Sequence, residues 1–490
     1  MAFNIIDKVR LTFKPENAAK IISSREMIAQ YKSATGKRAG KRSREEIRVL
    51  EEVAQLPLAQ QGRYYEENFP IVKSTLDEIV KNVVGQGINV NPTPMLTNGE
   101  PATELAIVLK RMYAEFNSKW CMDGRTTRSD AEALQLRSYC RDGEVFNRIY
   151  NFEDHDFLTP IKLGFQPFET DHVPTDLTDE AANVHRGFKL GAYNRVEGIY
   201  YNADPNAFTQ SPVFIPNGDY LHFANKNRLN SLRGFSDFSA AMGAIANLAN
   251  FEEATQIALK AASKITMVHY VSNNGGNVAD FGGQAAPVST LNFAYSNVAQ
   301  VAKDDKVEVH ESAKGIGDTV RAIRELERQI VTSAKASVSS TTGRYEGNYS
   351  AQRQELVDAW ASYIILRAKF VDYIVRPSYE RFVYTLYMQG LIKLPRGLDI
   401  STIANAEFTG AVMPWIDPKK EAESLEILMD IGMLPLSLAL AQRGYDITNI
   451  LNRYHQDRKL GKKLGLEDLL MLERKVTNAK SKGANDAKSE

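Results

Sequence analysis

DYLHFANKNRLNSLRGFSDFSAAMGAIANLANFEEA, residues 219–254, contains the change of period on which the fold turns. Its first seven residues, DYLHFAN (219–225), are aromatic and apolar and read as a strand. From 234 to 265 the period is helical. Phe235, Phe238, Met242, Ile245, Leu248, Ala249, Ile257, Ala261 and Ile265 recur at helical spacing. Alanine is dense in this helix, so a neighbouring helix can approach closely, whether from a second copy or from the same chain.

Upstream, GEVFNRIYNF (143–152) and VEGIYYN (196–202) are β-branched and aromatic between turn residues, and several short strands are expected over 143–223. Before them lie helices. FPIVKSTLDEIVKNVV (69–84) places Ile71, Val72, Leu76, Ile79, Val80 and Val83 at three and four, with Gly85 as its stop. Residues 101–120 put Leu105, Leu109, Tyr113 and Phe116 on one stripe, and a third helix is predicted at 129–140. Residues 1–60 are charged and helix-compatible, with a helix at 43–55.

Downstream, residues 271–310 are low in charge until 303 and punctuated by Gly275, Gly276, Gly282 and Gly283, which suggests a small lobe of short strands and loops. DTVRAIRELERQIVTSAK (318–335) is a helix with Val320, Ile323, Leu326, Ile330 and Val331 on one face and Arg and Glu on the other. ASVSSTTGRYEGNYS (336–350) reads as a polar loop, followed by a long helix at 351–375 that Pro377 ends or kinks. Further helices are expected at 378–390, 418–432 and 436–458, and the polar tail 474–490 is expected to be disordered. The order is helical, β-rich, helix–lobe–helix, then helical again: an α+β chain. Two long helices carrying a small lobe imply an elongated subunit, whose poorly buried helix faces point to an oligomer.

The chain has 490 residues, of which 43% are apolar and 24% charged, so a fully disordered chain is excluded. Lys+Arg and Asp+Glu each total 60, a net charge of zero, so contact with nucleic acid must be local or weak. Two cysteines, Cys121 and Cys140, exclude a disulfide framework and fit a reducing compartment. The first twenty residues lack a signal-peptide layout, because Asp7, Lys8 and Arg10 interrupt the apolar run. The most apolar stretch, LMDIGMLPLSLALAQ (428–442), is short and holds Asp430 and Pro435, so a soluble chain without a membrane span is expected.

Catalytic motifs are missing. GKRAGKRS (36–43) fails as a phosphate loop because Thr35 stands where glycine is needed, and VVGQGINV (83–90) lacks a third glycine. The seven histidines are scattered, and none has metal-ligand spacing with another histidine or a cysteine. Glu153, Asp154, His155 and Asp156 read as a solvated turn rather than a cation site. No metal, cofactor or catalytic group is expected. An enzyme with a dispersed site stays open as an alternative. So does a DNA-binding module working through the basic cluster Lys37, Arg38, Lys41, Arg42 and Arg44 (37–44), although the plainer reading of that cluster is a solvated, mobile segment.

Several segments, in order, resemble the lambda-like family of tailed-bacteriophage portal proteins. They are RSREEIRVLEE (42–52) with STLDEIVKNVVGQGINV (74–90), then CRDGEVFNRI (140–149), then 219–254 itself. YEGNYSAQRQELVDAW (345–360), RPSYERFVYTLYMQGLI (376–392) and WIDPKKEAESLEILMDIGMLPLSLALAQRGYD (415–446) follow. The resemblance covers roughly residues 40–470. It implies a ring, usually of twelve subunits, at one capsid vertex of the virion, made in the host cytoplasm. Double-stranded DNA passes non-specifically through the ring during packaging and ejection. It implies contacts with the major capsid protein, the terminase large subunit and later a head-completion or adaptor protein, with ATP hydrolysis left to the terminase.

By the same resemblance, 1–69 is an N-terminal helical arm, 70–232 the wing, 233–270 and 311–335 the stem helices and 271–310 the clip. Residues 336–350 are the tunnel loop, 351–415 the long wing helix and its return, and 416–473 the crown. The implied channel residues are Lys335, Ser339, Ser340, Thr341, Thr342 and Arg344, although both cations also read as ordinary surface charges. The implied clip docking residues are Asn273, Asn274, Asp280, Phe281, Gln284, Asn292 and Tyr295. A neutral chain with mobile Ser, Thr and Gly in the loop suits a conduit that must not grip a polyanion.

Overall fold

The computed structural model describes residues 47–464, apart from 152–159, 206–210, 272–289, 294–295, 303–315, 346–347, 414–417, 442, 444 and 446. The chain divides into a unit of residues 1–50 and one of 51–490, and nearly everything described belongs to the second. The basic cluster at 37–44, the acidic turn at 153–156 and the tail 474–490 lie outside the described residues.

Helix α1 spans Ile47–Asn68, and α2 spans Pro70–Val83 with Pro70 in its first turn, where no backbone donor is lost. On α2 the expected stripe is the buried one: Val72, Leu76, Ile79 and Val83. Gly85, at φ +61, stops it. Strand β1 (Asn89–Pro92) leads to α3 (Thr103–Phe116), which buries Leu105, Leu109, Tyr113 and Phe116 as its sequence spacing predicts. Helix α4 (Arg128–Asp142) starts at Thr127, whose hydroxyl accepts from the Asp130 N–H. It ends at Gly143 in the left-handed conformation, φ +96.

Three antiparallel strands follow the order β3-β2-β8, with β2 at Glu144–Asn151, β3 at Leu163–Phe168 and β8 at Tyr220–Ala224. Four more form a second sheet, β4-β5-β6-β7, at Val184–His185, Phe188–Leu190, Val196–Tyr201 and Val213–Pro216. Phe146, Phe168, Phe188, Ile199 and Ile215 make a core between these strands that is separate from the helical core.

The predicted helix over 234–265 begins eight residues later, as α5, Met242–Lys264. The delay has a tertiary cause: the Phe235 N–H donates to the Asn225 carbonyl and the Asp237 N–H to the Cys140 carbonyl. These bonds hold 233–237 out of the helix and against the end of α4. Beyond α5 run β9 (Ile265–Val271), β10 (Thr290–Phe293) and β11 (Ser296–Ala302), a three-stranded sheet in which β9 and β11 are parallel. Helix α6 (Ile316–Ser333) packs along α5.

The stretch predicted as a loop over 336–350 contains a short helix, α7 (Val338–Thr342), because Ser337 caps it. The long helix α8 (Tyr349–Phe370) runs into a π-helical turn at Val371–Val375 and then α9 (Arg376–Met388). Pro377 therefore neither ends nor breaks the rod. It sits in the first turn of α9, and the wide turn before it takes up the mismatch. Tyr379 and Phe382 of α9 pack edge-on and stacked against Tyr113 and Phe116 of α3. Strand β12 (Ala406–Thr409) pairs antiparallel with β1, joining two segments far apart in sequence. The helix expected over 436–458 is two: after α10 (Pro418–Asp430) come α11 (Leu436–Ala441) and α12 (Ile447–Leu464).

At the centre, Arg233 and Glu144 are each 0% exposed and lie 2.7 Å apart. The carboxylate oxygen that faces Arg233 also accepts from Thr170 Oγ1 at 2.7 Å and Gln55 Nε2 at 3.2 Å. The other accepts from the Gly234 N–H at 3.1 Å and lies 3.0 Å from His222 Nε2. Burial alone would raise the Glu144 carboxyl, but Arg233, His222 and Thr170 override it and hold it at about 2. Arg233 directs its remaining donors to the carbonyls of Thr170, Val173 and Arg186.

Two outcomes follow from this network. Replacing Arg233→Met leaves a buried carboxylate unpaired and is expected to cost about 3–5 kcal/mol in denaturant unfolding. The depressed Glu144 contributes stability that is complete above its unfolded value of 4.5 and is lost as pH falls toward about 2. Unfolding curves between those pH values are expected to flatten in Glu144→Gln, which has no carboxyl to protonate.

Candidate functional site

The residues the sequence nominated fall on the junction of α6, α7 and α8. Lys335 follows α6 in the left-handed conformation, φ +58, and Gly343 follows α7 at φ +66. Non-glycine residues reach that region rarely and at a cost. The α7 segment is thus bounded by two backbone reversals.

Glu355 of α8 holds that segment. Its carboxylate accepts from Ser337 Oγ at 2.9 Å, from the Ser339 N–H at 2.9 Å and from Ser339 Oγ at 2.6 Å. Burial opposes ionisation, but these Ser339 and Ser337 donors win and lower its pKa. The Ser337 N–H donates to the Tyr363 hydroxyl at 3.2 Å. Thr342 Oγ1 donates to the Val338 carbonyl at 2.8 Å, and Ser337 Oγ lies 3.2 Å from Ser340 Oγ. Thr341 Oγ1 is buried. In this conformation the hydroxyls of Ser339 and Thr342 serve the segment's own structure.

The two nominated cations part company. Lys335 lines a cavity of about 110 Å³ together with Asp237, Asn225, Tyr139 and Lys369. Burial raises the Asp237 carboxyl to about 6 against the pull of Lys335 and of its hydrogen bond from Asn225. Arg344 instead borders a groove of about 570 Å³ between α6, α7 and α8. Arg321, Arg324 and Arg328 of α6 line the same groove, with Glu325, Glu327 and Glu355 among them. Arg344 Nη2 lies 2.7 Å from the Glu327 carboxylate, and Arg328 binds Glu325 through Nε at 2.8 Å and Nη2 at 2.6 Å. Hydrogen bonds from Arg328 and Gln329 pull Glu325 down to about 2, so it stays ionised at neutral pH. Sequence reasoning does not single out the arginines of α6 or Glu355. The polar face of the 318–335 helix is the signal for the arginines, but only the fold brings Arg344 to the opposite wall.

Of the nominated clip residues, Asn292 lies on β10, opposite Asn297 of β11. Asn273, Asn274, Asp280, Phe281, Gln284 and Tyr295 lie outside the described residues. Among the described residues no cluster of three metal-ligating side chains occurs, and no helix is long and apolar enough to cross a membrane.

The fold is an α+β chain with a paired-helix segment, a short capped turn after it and a groove of alternating charge. The family model described as phage portal protein, lambda family, matches residues 36–367, and the chain belongs to that family. No curated protein matches it. It is similar to a chain in the virion of a native gene transfer agent particle, at 10% identity and TM-score 0.41, covering 78% of this chain and 91% of that one. It is also similar to a chain in the neck of the native particle computed with C12 symmetry, at 10% identity and TM-score 0.40, covering 79% and 97%. A chain in the neck of the empty particle computed with C6 symmetry gives 12% identity and TM-score 0.39, covering 80% and 94%. The family assignment rests on the sequence match.

Glu355→Ala removes the acceptor for three donors at the start of α7. It is expected to speed amide exchange at Ser339 and to cost about 1–2 kcal/mol of stability, as loss of a helix cap does. Exchange followed by mass spectrometry over 336–345 checks it.

Proposed function

We propose that this chain is the repeating subunit of a portal ring at one capsid vertex, through which double-stranded DNA is packaged and ejected. Membership of the portal family supports this reading. The observation that carries it is apolar surface left uncovered by the chain's own packing. On α5, Phe251, Ile257 and Leu259 are 43%, 59% and 46% exposed. On α10–α12 and their connections, Ile427, Ile431, Met433, Leu436 and Leu451 are all more than half exposed. Helices that show this much aliphatic surface need a partner, and in a closed ring each subunit supplies it to the next.

In this reading the α6–α7–α8 junction faces the channel, and residues 271–310 form the clip that meets the terminase large subunit and later the head-completion or adaptor protein. Residues 416–473 form the crown, and the wing meets the major capsid protein. The protein resides in the virion after synthesis in the host cytoplasm. It acts as a passage and a docking platform rather than as an enzyme.

Native mass spectrometry of the purified protein is expected to give a closed assembly of about twelve chains, on the order of 650 kDa. Electron microscopy is expected to show an axial hole wide enough for duplex DNA, about 20 Å on the scale of its grooves. A chain that stays monomeric at high concentration overturns the reading.

A further inference from the structure

The groove between α6 and α7 has the layout of a phosphate-binding surface and the charge balance of something else. Arg321, Arg324 and Arg328 recur at three and four on α6, so they share one face and span about 10 Å at 1.5 Å per residue. Arg344 stands on the opposite wall. A duplex presents one phosphate charge per about 3.4 Å along each strand, so such a ladder meets several phosphates at once. Guanidinium groups do not lose their proton near neutrality and bind carboxylate and phosphate through the same planar fork.

The groove nevertheless carries its own anions. Arg321 has Asp318 at 3.6 Å, Arg328 is held by Glu325 at 2.6 Å and Arg344 by Glu327 at 2.7 Å. The two glutamates differ in how firmly they are set. Glu325 is 50% exposed, so its pair is weak and exchangeable. Glu327 is 12% exposed and fixed in the wall.

We propose that Glu325 and Glu327 are built-in competitors for DNA phosphates, which keep the groove from gripping the duplex. The arginines pass from carboxylate to phosphate and back as the strand moves, so each new ion pair replaces an existing one. Without the two acids, Arg328 and Arg344 lose these carboxylates, and the added positive charge, repeated around a ring, would bind with the steeper salt dependence of a tighter non-specific complex. The inference rests on the channel reading above and adds what sets the affinity of that surface.

The test compares the full-length protein with Glu325→Gln/Glu327→Gln and with Glu67→Gln/Glu104→Gln, which removes the same charge from exposed positions away from the groove. Binding of a short labelled duplex is measured across about 50–200 mM salt, and mass is recorded in parallel. The groove variant is expected to bind more tightly, with its log–log salt slope steeper by about 0.9 for each additional phosphate neutralised. The control variant is expected to match the unmodified protein in slope. An intact ring in which the groove variant binds no more tightly than the control overturns the inference and leaves the ring reading standing. An unmodified protein that forms no ring overturns the reading beneath it. Should the double variant not assemble, Glu325→Gln alone carries the same comparison, since its bonds to Arg328 and Gln329 lie within its own helix.

Discussion

One buried ion pair organises the middle of this protein. Arg233 and Glu144 are both fully removed from water, a state that is costly unless every donor and acceptor finds a partner. Here they do, and the partners come from six places: α1 through Gln55, the segment after β3 through Thr170 and Val173, the turn between β4 and β5 through the Arg186 carbonyl, β8 through His222, and the two chain segments that bear the pair. The pair can form only when the end of α4, the start of β2 and the segment before α5 lie together. Glycine permits this on both sides. Gly143 takes φ +96 with its face against the Phe235 backbone, and a Cβ on Gly234 would collide with the Gly143 carbonyl. The neighbours extend the lock outward, since Asp142 binds Arg63, and Arg141 binds Glu66 and Glu169. The RDGE and RG stretches that carry the family resemblance are thus two halves of one joint, and their residues serve architecture.

The same pairing of opposite charges recurs at the surface, with a different result. A net charge of zero says nothing of where the charges sit. At the core the opposite charges are desolvated and rigid. On α6 the Arg328–Glu325 pair is half exposed, and exposed pairs of this kind contribute little to stability. In the channel reading proposed above, their use lies in what they do to a visiting polyanion. A surface made of paired charges offers phosphate a partner only in exchange for another, which suits passage better than capture.

Much of the fold is legible along the chain because its helices are amphipathic at a regular period. The buried stripes of α2 and α3 are those their spacing predicts, and the strands at 144–151, 196–201 and 220–224 fall where aromatic and β-branched residues cluster. Legibility fails where local signals compete with distant ones. Residues 234–241 have a helical period but are held out of the helix by bonds to residues 140 and 225. Residues 338–342 look like a polar loop, yet the Ser337 cap and Glu355, sixteen residues beyond Ser339, make them helical. Pro377 reads as a break and is absorbed by a turn of wider radius.

The sequence by itself determined the alternation of helical and β-rich regions, the neutrality of the whole, the lack of recognisable catalytic motifs and, through ordered motifs, the family. Those properties are local or additive, so they survive being read one window at a time. The tertiary structure alone decided that Glu144 meets Arg233, that Glu355 commits the hydroxyls of Ser337 and Ser339, and that Arg344 faces the arginines of α6 across a groove. Each of these depends on bringing together groups that lie from 16 to 89 residues apart. No period or propensity encodes such a distance, because the energy of a charge or a hydrogen bond depends on its neighbours in space.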